Sequence, residues 1–385
     1  MDFALSEEHE MIRQMAREFA EEVLAPAAAQ LEQTREFPKE NLKKMAELGL
    51  LTPPIPEEYG GPGLDTISYA IIGEEVARAC GSTATIMGAH CSLCSMPILM
   101  FGTEEQKKHY LPQLCSAEKI GAFGLTEPSA GSDAAGIRTR AVKDGSDYVL
   151  NGHKQWITNG HYADVFIIMA TTNPEAGLRG ITPFLLERGA PGFTTGKIEE
   201  TMGIRGTVQT ELHFENVRIP ETDILGGPKS VGRGFLMAMK TLDSGRIGVG
   251  AASVGIAQAA LEAAVKYSKE REQFGSKLKD FQAIQWMIAD MATELQAARL
   301  MVYYAAWAKD AHHGKCTLEA AQAKLYASEV CGKVTDLALQ IHGGYGYTKD
   351  FPLERYYRDA RIKRIYEGTN EIQRMVIAHE VLRKM

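Results

Sequence analysis

Cysteine is scarce in this chain: six in 385 residues, irregularly spaced. That excludes a disulfide-stapled scaffold and fits a reducing compartment. No apolar run approaches the roughly 18 residues of a transmembrane helix, so no membrane insertion is expected. The N-terminal stretch from Met1 to Glu10 has neither a basic nor an apolar segment. It does not read as a secretory signal, and a cytoplasmic location is expected, with a mature mitochondrial form as the alternative. Basic charge is in deficit, with 42 Lys+Arg against 49 Asp+Glu and a formal net charge of −7. General nucleic-acid binding is therefore not expected, although a local basic patch for a phosphorylated small molecule is compatible with it.

Familiar signatures are missing too. Gly196-Lys197, Gly314-Lys315 and Gly332-Lys333 are followed by Ile, Cys and Val, so none completes a P-loop. Gly248 and Gly250 do not form G-x-G-x-x-G, and neither G-x-S-x-G nor H-E-x-x-H occurs. Cys91 and Cys94 form a C-x-x-C beside His90. A second ligand pair is lacking, so the pair reads as small residues packed in a helix and no metal is expected.

What is present is ordinary globular composition, 45% hydrophobic and 24% charged, at a length that suits two or three domains. The first 115 residues read as helices, with Ser6 as an N-cap and Pro26 ending or kinking the first. Helices are also expected over 39–48, 66–80, 84–101 and 103–115, with a loop over 53–65. From Gly121 to about Leu225 short alternating runs predict strands, at Tyr148–Leu150, Val165–Ile168, Phe184–Leu186 and Glu211–Phe214. Lys143-Asp144-Gly145-Ser146 and Asn151-Gly152 read as turns between strands. Beyond Gly226-Gly227-Pro228 helices are expected over 232–272, 280–313 and 317–341, with shorter ones after Pro352 and Thr369. No repeat appears, and the βαβ rhythm of a parallel sheet is absent.

Four stretches carry chemistry. Gly124 to Asp133 (GLTEPSAGSD) combines a hydroxyl with glycines that let backbone donors approach an anion. Lys154 to Gly160 sets Trp156 beside Thr158, a flat wall and a hydrogen-bonding group suited to a planar heteroaromatic ring. Gln340 to Tyr347 ends a helix abruptly in Gly343-Gly344, either a C-cap or a clearing for phosphates. Ile365 to Ile372 places Glu367 before Gly368 and a helix start; burial would raise its pKa and make it a general base.

The four stretches, in this order on a helix–sheet–helix plan, closely resemble the acyl-CoA dehydrogenase family of flavoproteins. Gly124 to Gly136 and Gln340 to Asp359 carry the resemblance, which covers essentially all of the chain. It implies a mainly α fold with a middle β domain: an N-terminal helical domain (1–119), a central β-barrel-like domain (120–225) and a C-terminal four-helix bundle (226–385). It implies FAD, held by Phe123, Leu125, Thr126, Gly131, Ser132, Trp156 and Thr158. A neighbouring subunit of a homotetramer, a dimer of dimers, would add Arg271, Phe274, Gln282, Gln340, Gly343 and Gly344. Thr369 and Glu371 would contact the cofactor from the catalytic loop. Ser132, Asp243, Ser244, Arg246 and Gly368 would contact the substrate.

The implied reaction is α,β-dehydrogenation of a short-chain, butyryl-CoA-type thioester to the trans-2-enoyl-CoA. Glu367 would take the α-proton, hydride would pass to flavin N5, and an electron-transferring flavoprotein would accept the electrons. Some family members carry the base at the position of Gly245, which rules itself out here. Helix 81–100 has no Arg or Lys, which argues against a dicarboxylic acyl group. His90 reads either as a core histidine or as a contact to the acyl tail. Competing readings are a reductase running in reverse, a branched-chain dehydrogenase, an oxidase, and a non-enzymatic CoA-binding protein.

Overall fold

The computed structural model describes residues 4–384. The first three residues of the acidic N-terminal stretch lie outside it. Helix α1 (Glu7–Phe19) starts where Ser6 Oγ accepts from the His9 N–H, with Glu7, Glu8 and Glu10 in the first turn. Negative charge there complements the helix dipole. Pro26 neither ends nor breaks this helix. One π turn, Ala20–Leu24, carries the chain into α2 (Ala25–Thr34), and Pro26 sits in its first turn, where a missing N–H costs little. α3 (Lys39–Glu47) and α4 (Thr66–Ala79) flank the Pro/Gly loop, which holds a 3₁₀ turn at Glu57–Tyr59. The long apolar stretch expected as one helix is α5 (Gly81–His90), a π turn (Cys91–Ser95) and α6 (Met96–Phe101). α7 (Glu104–Cys115) opens with a Thr103/Gln106 capping box.

The middle region holds β1 (Gly121–Gly124), β2 (Arg140–Asp144), β3 (Asp147–Thr158), β4 (Val165–Thr171), β5 (Ile181–Glu187), β6 (Phe193–Ile198) and β7 (Gln209–Pro220). They form one seven-stranded sheet in the order β1-β4-β2-β3-β7-β6, with β5 on β4. Gly145, with φ +64°, turns β2 into β3 as expected. Asn151-Gly152 is no turn. It is a bulge inside β3, where the register with β7 shifts and Gly152 (φ +139°) lies against Thr139. The turn composition signalled a local kink that the sheet absorbs.

α8 (Gly234–Glu270) is followed by a small hairpin, β8 (Glu272–Gln273) and β9 (Ser276–Lys277), which sequence periodicity had not suggested. Then come α9 (Gln282–Ala311), α10 (Thr317–His342), α11 (Leu353–Ile362) and α12 (Asn370–Lys384). α10 packs against the other four, and α8 packs against α4, joining the two helical parts. The approach is close at Gly255, where any Cβ would strike the Glu74 carbonyl. Contrary to the sequence expectation, Gly81–Phe101 and Gly234–Glu270 are long and apolar enough to cross a membrane by length and composition. Both apolar windows are mostly buried inside the protein, so their apolarity serves the core.

Candidate active site

A cavity of about 810 Å³ opens where the sheet, α5, α8 and the loop after α11 meet. Glu367 lies on that loop with φ +53°, followed by Gly368 at +90°. Two consecutive left-handed residues are costly for a glutamate, and the surroundings hold them. Lys324 Nζ on α10 donates to the Gly368 carbonyl and to Asn370 Oδ1, each at 2.9 Å. Gln373 Nε2 reaches the Glu367 and Gly368 carbonyls at 3.3 and 2.9 Å. Thr369 Oγ1 caps α12 through the Ile372 N–H.

Glu367 Oε2 is buried and has no hydrogen-bond partner. Gly245 on α8 makes room for it, because a Cβ there would overlap that oxygen. Burial pushes the Glu367 carboxyl up to about 7, against the opposing pull of Lys324, Arg246 and Lys363. The group is poised between its two protonation states near neutral pH, as a general base requires. Burial also draws Lys324 down to about 8, against the attraction of Glu367.

The opposite wall comes from the sheet. After β1 the chain makes a tight turn, with Glu127 and Ala130 exchanging backbone hydrogen bonds. Beneath it Lys154 is fully buried and donates to the Leu125 carbonyl (3.0 Å) and Glu127 Oε1 (2.6 Å). Glu127 also accepts from the Arg138 and Thr139 N–H groups at 2.6 and 2.9 Å. Burial lowers Lys154 to about 8 despite Glu127. For Glu127 burial acts upward, but Lys154 and the two amides outweigh it and leave the carboxyl below its ordinary range. Trp156 stands in a second bulge of β3, between Lys154 and Ile157, with φ +57°. The bulge turns its indole out of the sheet, leaving it 58% exposed on the cavity wall.

Of the residues singled out in the sequence, Phe123, Leu125, Thr126, Gly131, Ser132, Trp156, Thr158, Arg246, Gly368 and Thr369 share this wall with Glu367. Asp243, Ser244 and Glu371 are not on it. Asp243 instead holds Arg246 (2.7 Å) and accepts from Thr317 (2.7 Å), so it orients the arginine. Arg271, Phe274, Gln282, Gln340, Gly343 and Gly344 do not line this chain's cavity either. They cluster at the outer ends of α8, α9 and α10, with Phe274 95% exposed and the Arg271 guanidinium 5.7 Å from the Tyr345 ring centre. His90 is a core residue: its Nδ1 accepts from the Gly121 N–H (3.0 Å), so Nε2–H donates to the Leu114 carbonyl (2.9 Å). It does not touch the cavity, which removes the acyl-tail reading. Cys94 is buried beside it, its thiol pushed up to about 12 by burial. Among the described residues no cluster of His, Cys, Asp or Glu could hold a metal ion.

Sequence reasoning missed Lys324, Lys154 and Glu127, and Lys363 on the same wall. Their signal is burial of a charge, which spacing along the chain does not reveal.

The residues present suit a flavin. Trp156 offers an exposed flat face, and a Cβ on Gly131 would meet nothing within 4 Å, leaving the turn open to a ligand. Family profiles match throughout: an acyl-CoA dehydrogenase N-terminal domain over 6–118, a middle domain over 122–217 and a C-terminal domain over 232–382. This fold and site define a class, the FAD-dependent flavoprotein oxidoreductases. A short-chain specific acyl-CoA dehydrogenase of Clostridium acetobutylicum is 49% identical over 383 residues, covering 100% of both chains. A chain solved with the electron transferring flavoprotein of Acidaminococcus fermentans as its subject superposes with TM-score 0.97 at 49% identity, covering 100% of each. The acyl-CoA dehydrogenase of Bacillus anthracis complexed with FAD is 39% identical, TM-score 0.92, covering 99% of this chain and 67% of that one. The chain belongs to the acyl-CoA dehydrogenase family, and its cofactor is FAD.

Proposed function

We propose that the protein desaturates a short-chain acyl-CoA to the trans-2-enoyl-CoA with Glu367 as the base. The observation that carries this is the buried, unpartnered Glu367 Oε2 in a cavity that Gly245 keeps open. A carboxylate held near neutrality and shielded from water accepts a weakly acidic α-proton with little reorganisation. Among the described residues the Glu367 N–H donates to no backbone carbonyl. It is free to receive the thioester oxygen as charge develops there, and one such donor is worth roughly 2.7–4 kcal/mol of barrier. FAD, when bound, supplies the two-electron acceptor for the β-hydrogen. Phe123, Leu125, Thr126, Gly131, Ser132, Trp156 and Thr158 would hold it from the sheet side. Arg246, oriented by Asp243, places a permanent positive charge on the wall beside an anionic substrate.

Short-chain preference is supported by the Clostridium relative, and an electron-transferring flavoprotein as electron partner by the Acidaminococcus structure. A homotetramer is proposed from the six residues on the outer helix ends, which would complete a neighbour's cofactor site. Functional division at 1–119, 120–225 and 226–385 belongs to the same reading. The test is Glu367→Gln in the FAD-loaded enzyme. Flavin should remain bound, and bleaching by butyryl-CoA should slow by about 10²–10⁴-fold. Undiminished turnover would remove Glu367 from the reaction.

A further inference from the structure

Lys363 is fully buried, and beyond its pull on the Glu367 carboxyl its ammonium faces neutral hydroxyl groups. It caps the C-terminus of α11, four residues before the base, and lies on the cavity wall. Its ammonium donates to Tyr366 Oη at 2.7 Å and to Thr85 Oγ1 on α5 at 3.4 Å. The Thr85 hydroxyl spends its own proton on the Gly81 carbonyl (2.9 Å), so towards Lys363 it is an acceptor. Two of the three ammonium N–H groups are thus placed. Tyr366 Oη accepts from Lys363, and its O–H proton has no acceptor in the chain among the described residues.

No carboxylate pairs with this ammonium among the described residues. Asp359, one turn back on α11, accepts from the Ile204 N–H through Oδ1, and both it and Glu367 feel the Lys363 charge without an ion-pair contact. Lys363, Thr85 and Tyr366 all line the cavity, to which α5, the π turn after it and α8 also contribute apolar side chains such as Met87, Leu93 and Val249, with Arg246 the one charged side chain from α8. A purely hydrocarbon acyl chain would seal two donors, one of them charged, away from water without acceptors. Each unmet donor of this kind is costly. The absence of Arg and Lys along helix 81–100 therefore does not settle the chemistry of the pocket. The cation comes from another element and reaches that helix at Thr85.

We propose that Lys363, Thr85 and Tyr366 form a polar subsite in the acyl cavity, selecting short acyl-CoA thioesters with an acceptor oxygen at the far end of the acyl chain. This rests on the acyl-CoA reading above and narrows its substrate class. A carboxylate or a hydroxyl would supply that oxygen, and the two are separable by experiment.

The test is calorimetric binding of pentanoyl-, 4-hydroxybutyryl- and glutaryl-CoA to the FAD-loaded Glu367→Gln protein, which removes turnover from the readout. At least one oxygenated thioester should bind about 10-fold or more tightly than pentanoyl-CoA, since a site built to pair a polar group rejects the analogue lacking it. Tight glutaryl-CoA binding identifies a carboxylate, and tight 4-hydroxybutyryl-CoA binding a hydroxyl. Adding Lys363→Met should abolish that preference, and Tyr366→Phe or Thr85→Val should reduce it several-fold. The two milder changes decide the matter if Lys363→Met fails to fold. Preference for pentanoyl-CoA, or an oxygen preference indifferent to all three substitutions, overturns the subsite alone. Failure of all three thioesters to bind overturns the acyl-CoA reading and the subsite with it.

Discussion

The chemistry turns on how a few charges are buried. Glu367 has its pKa raised from 4.5 to about 7, so it is protonated and inactive as a base in acid. In the FAD-loaded enzyme kcat/KM should rise with pH and level off above about 7. Lys324 is the strongest charge opposing that shift. Lys324→Met should therefore move the acidic limb to higher pH, whereas a purely structural effect would lower the plateau without moving the limb. The same shift bears on stability. A carboxyl whose folded pKa is raised stabilises fully below its unfolded value and loses that contribution as pH rises through about 7. Glu367→Gln should accordingly gain stability relative to wild type between pH 5 and 8 in thermal melts. Gly245→Ala should displace the Glu367 carboxylate and cost about 10²-fold in kcat, the scale of misplacing a reacting group by about 1 Å.

At the scale of elements, the turn after β1 is held by the Lys154–Glu127 pair beneath it. Glu127→Ala would leave a buried ammonium without its partner, at a cost of about 3–5 kcal/mol in unfolding free energy, with weaker FAD retention. His90 joins the α7 end to the β1 start as a neutral ring, burial holding its pKa at about 4. The unfolded chain takes up that proton near pH 6.5 and the folded one does not. About 3 kcal/mol of stability should therefore be lost between pH 6.5 and 4, and His90→Gln should flatten that part of the profile. Elements with strong local signals were legible in the sequence: the Ser6 cap, the Gly145 hairpin, the long C-terminal helices. Those set by tertiary context were not. Pro26 reads as a helix end, but a π turn accommodates it. Asn151-Gly152 reads as a turn, but pairing with β7 carries the strand through. The glycine-rich turn and the Glu367 loop were visible as motifs. The buried Lys154, Lys324 and Lys363 that hold or charge the site were not, because partners distant in sequence decide their burial.

On the scale of the whole molecule, the cavity belongs to no single part of the chain. The sheet supplies one wall, α5 and α8 another, and the loop between α11 and α12 the base. Arg271 lies off that wall, so a single subunit acting alone would leave it irrelevant to the cofactor. If a neighbouring copy completes the site, Arg271→Ala should weaken FAD binding at least several-fold, as read by flavin release on dilution. Whether the carboxylate of Glu367 starts the reaction is decided by rapid mixing of the FAD-loaded enzyme with butyryl-CoA while flavin absorbance is followed across about pH 5.5–8.5. Bleaching should accelerate through about pH 7 in the wild type and be about 10²–10⁴-fold slower in Glu367→Gln. Bleaching of the variant at the wild-type rate, with the same pH dependence, would contradict that role of the carboxylate.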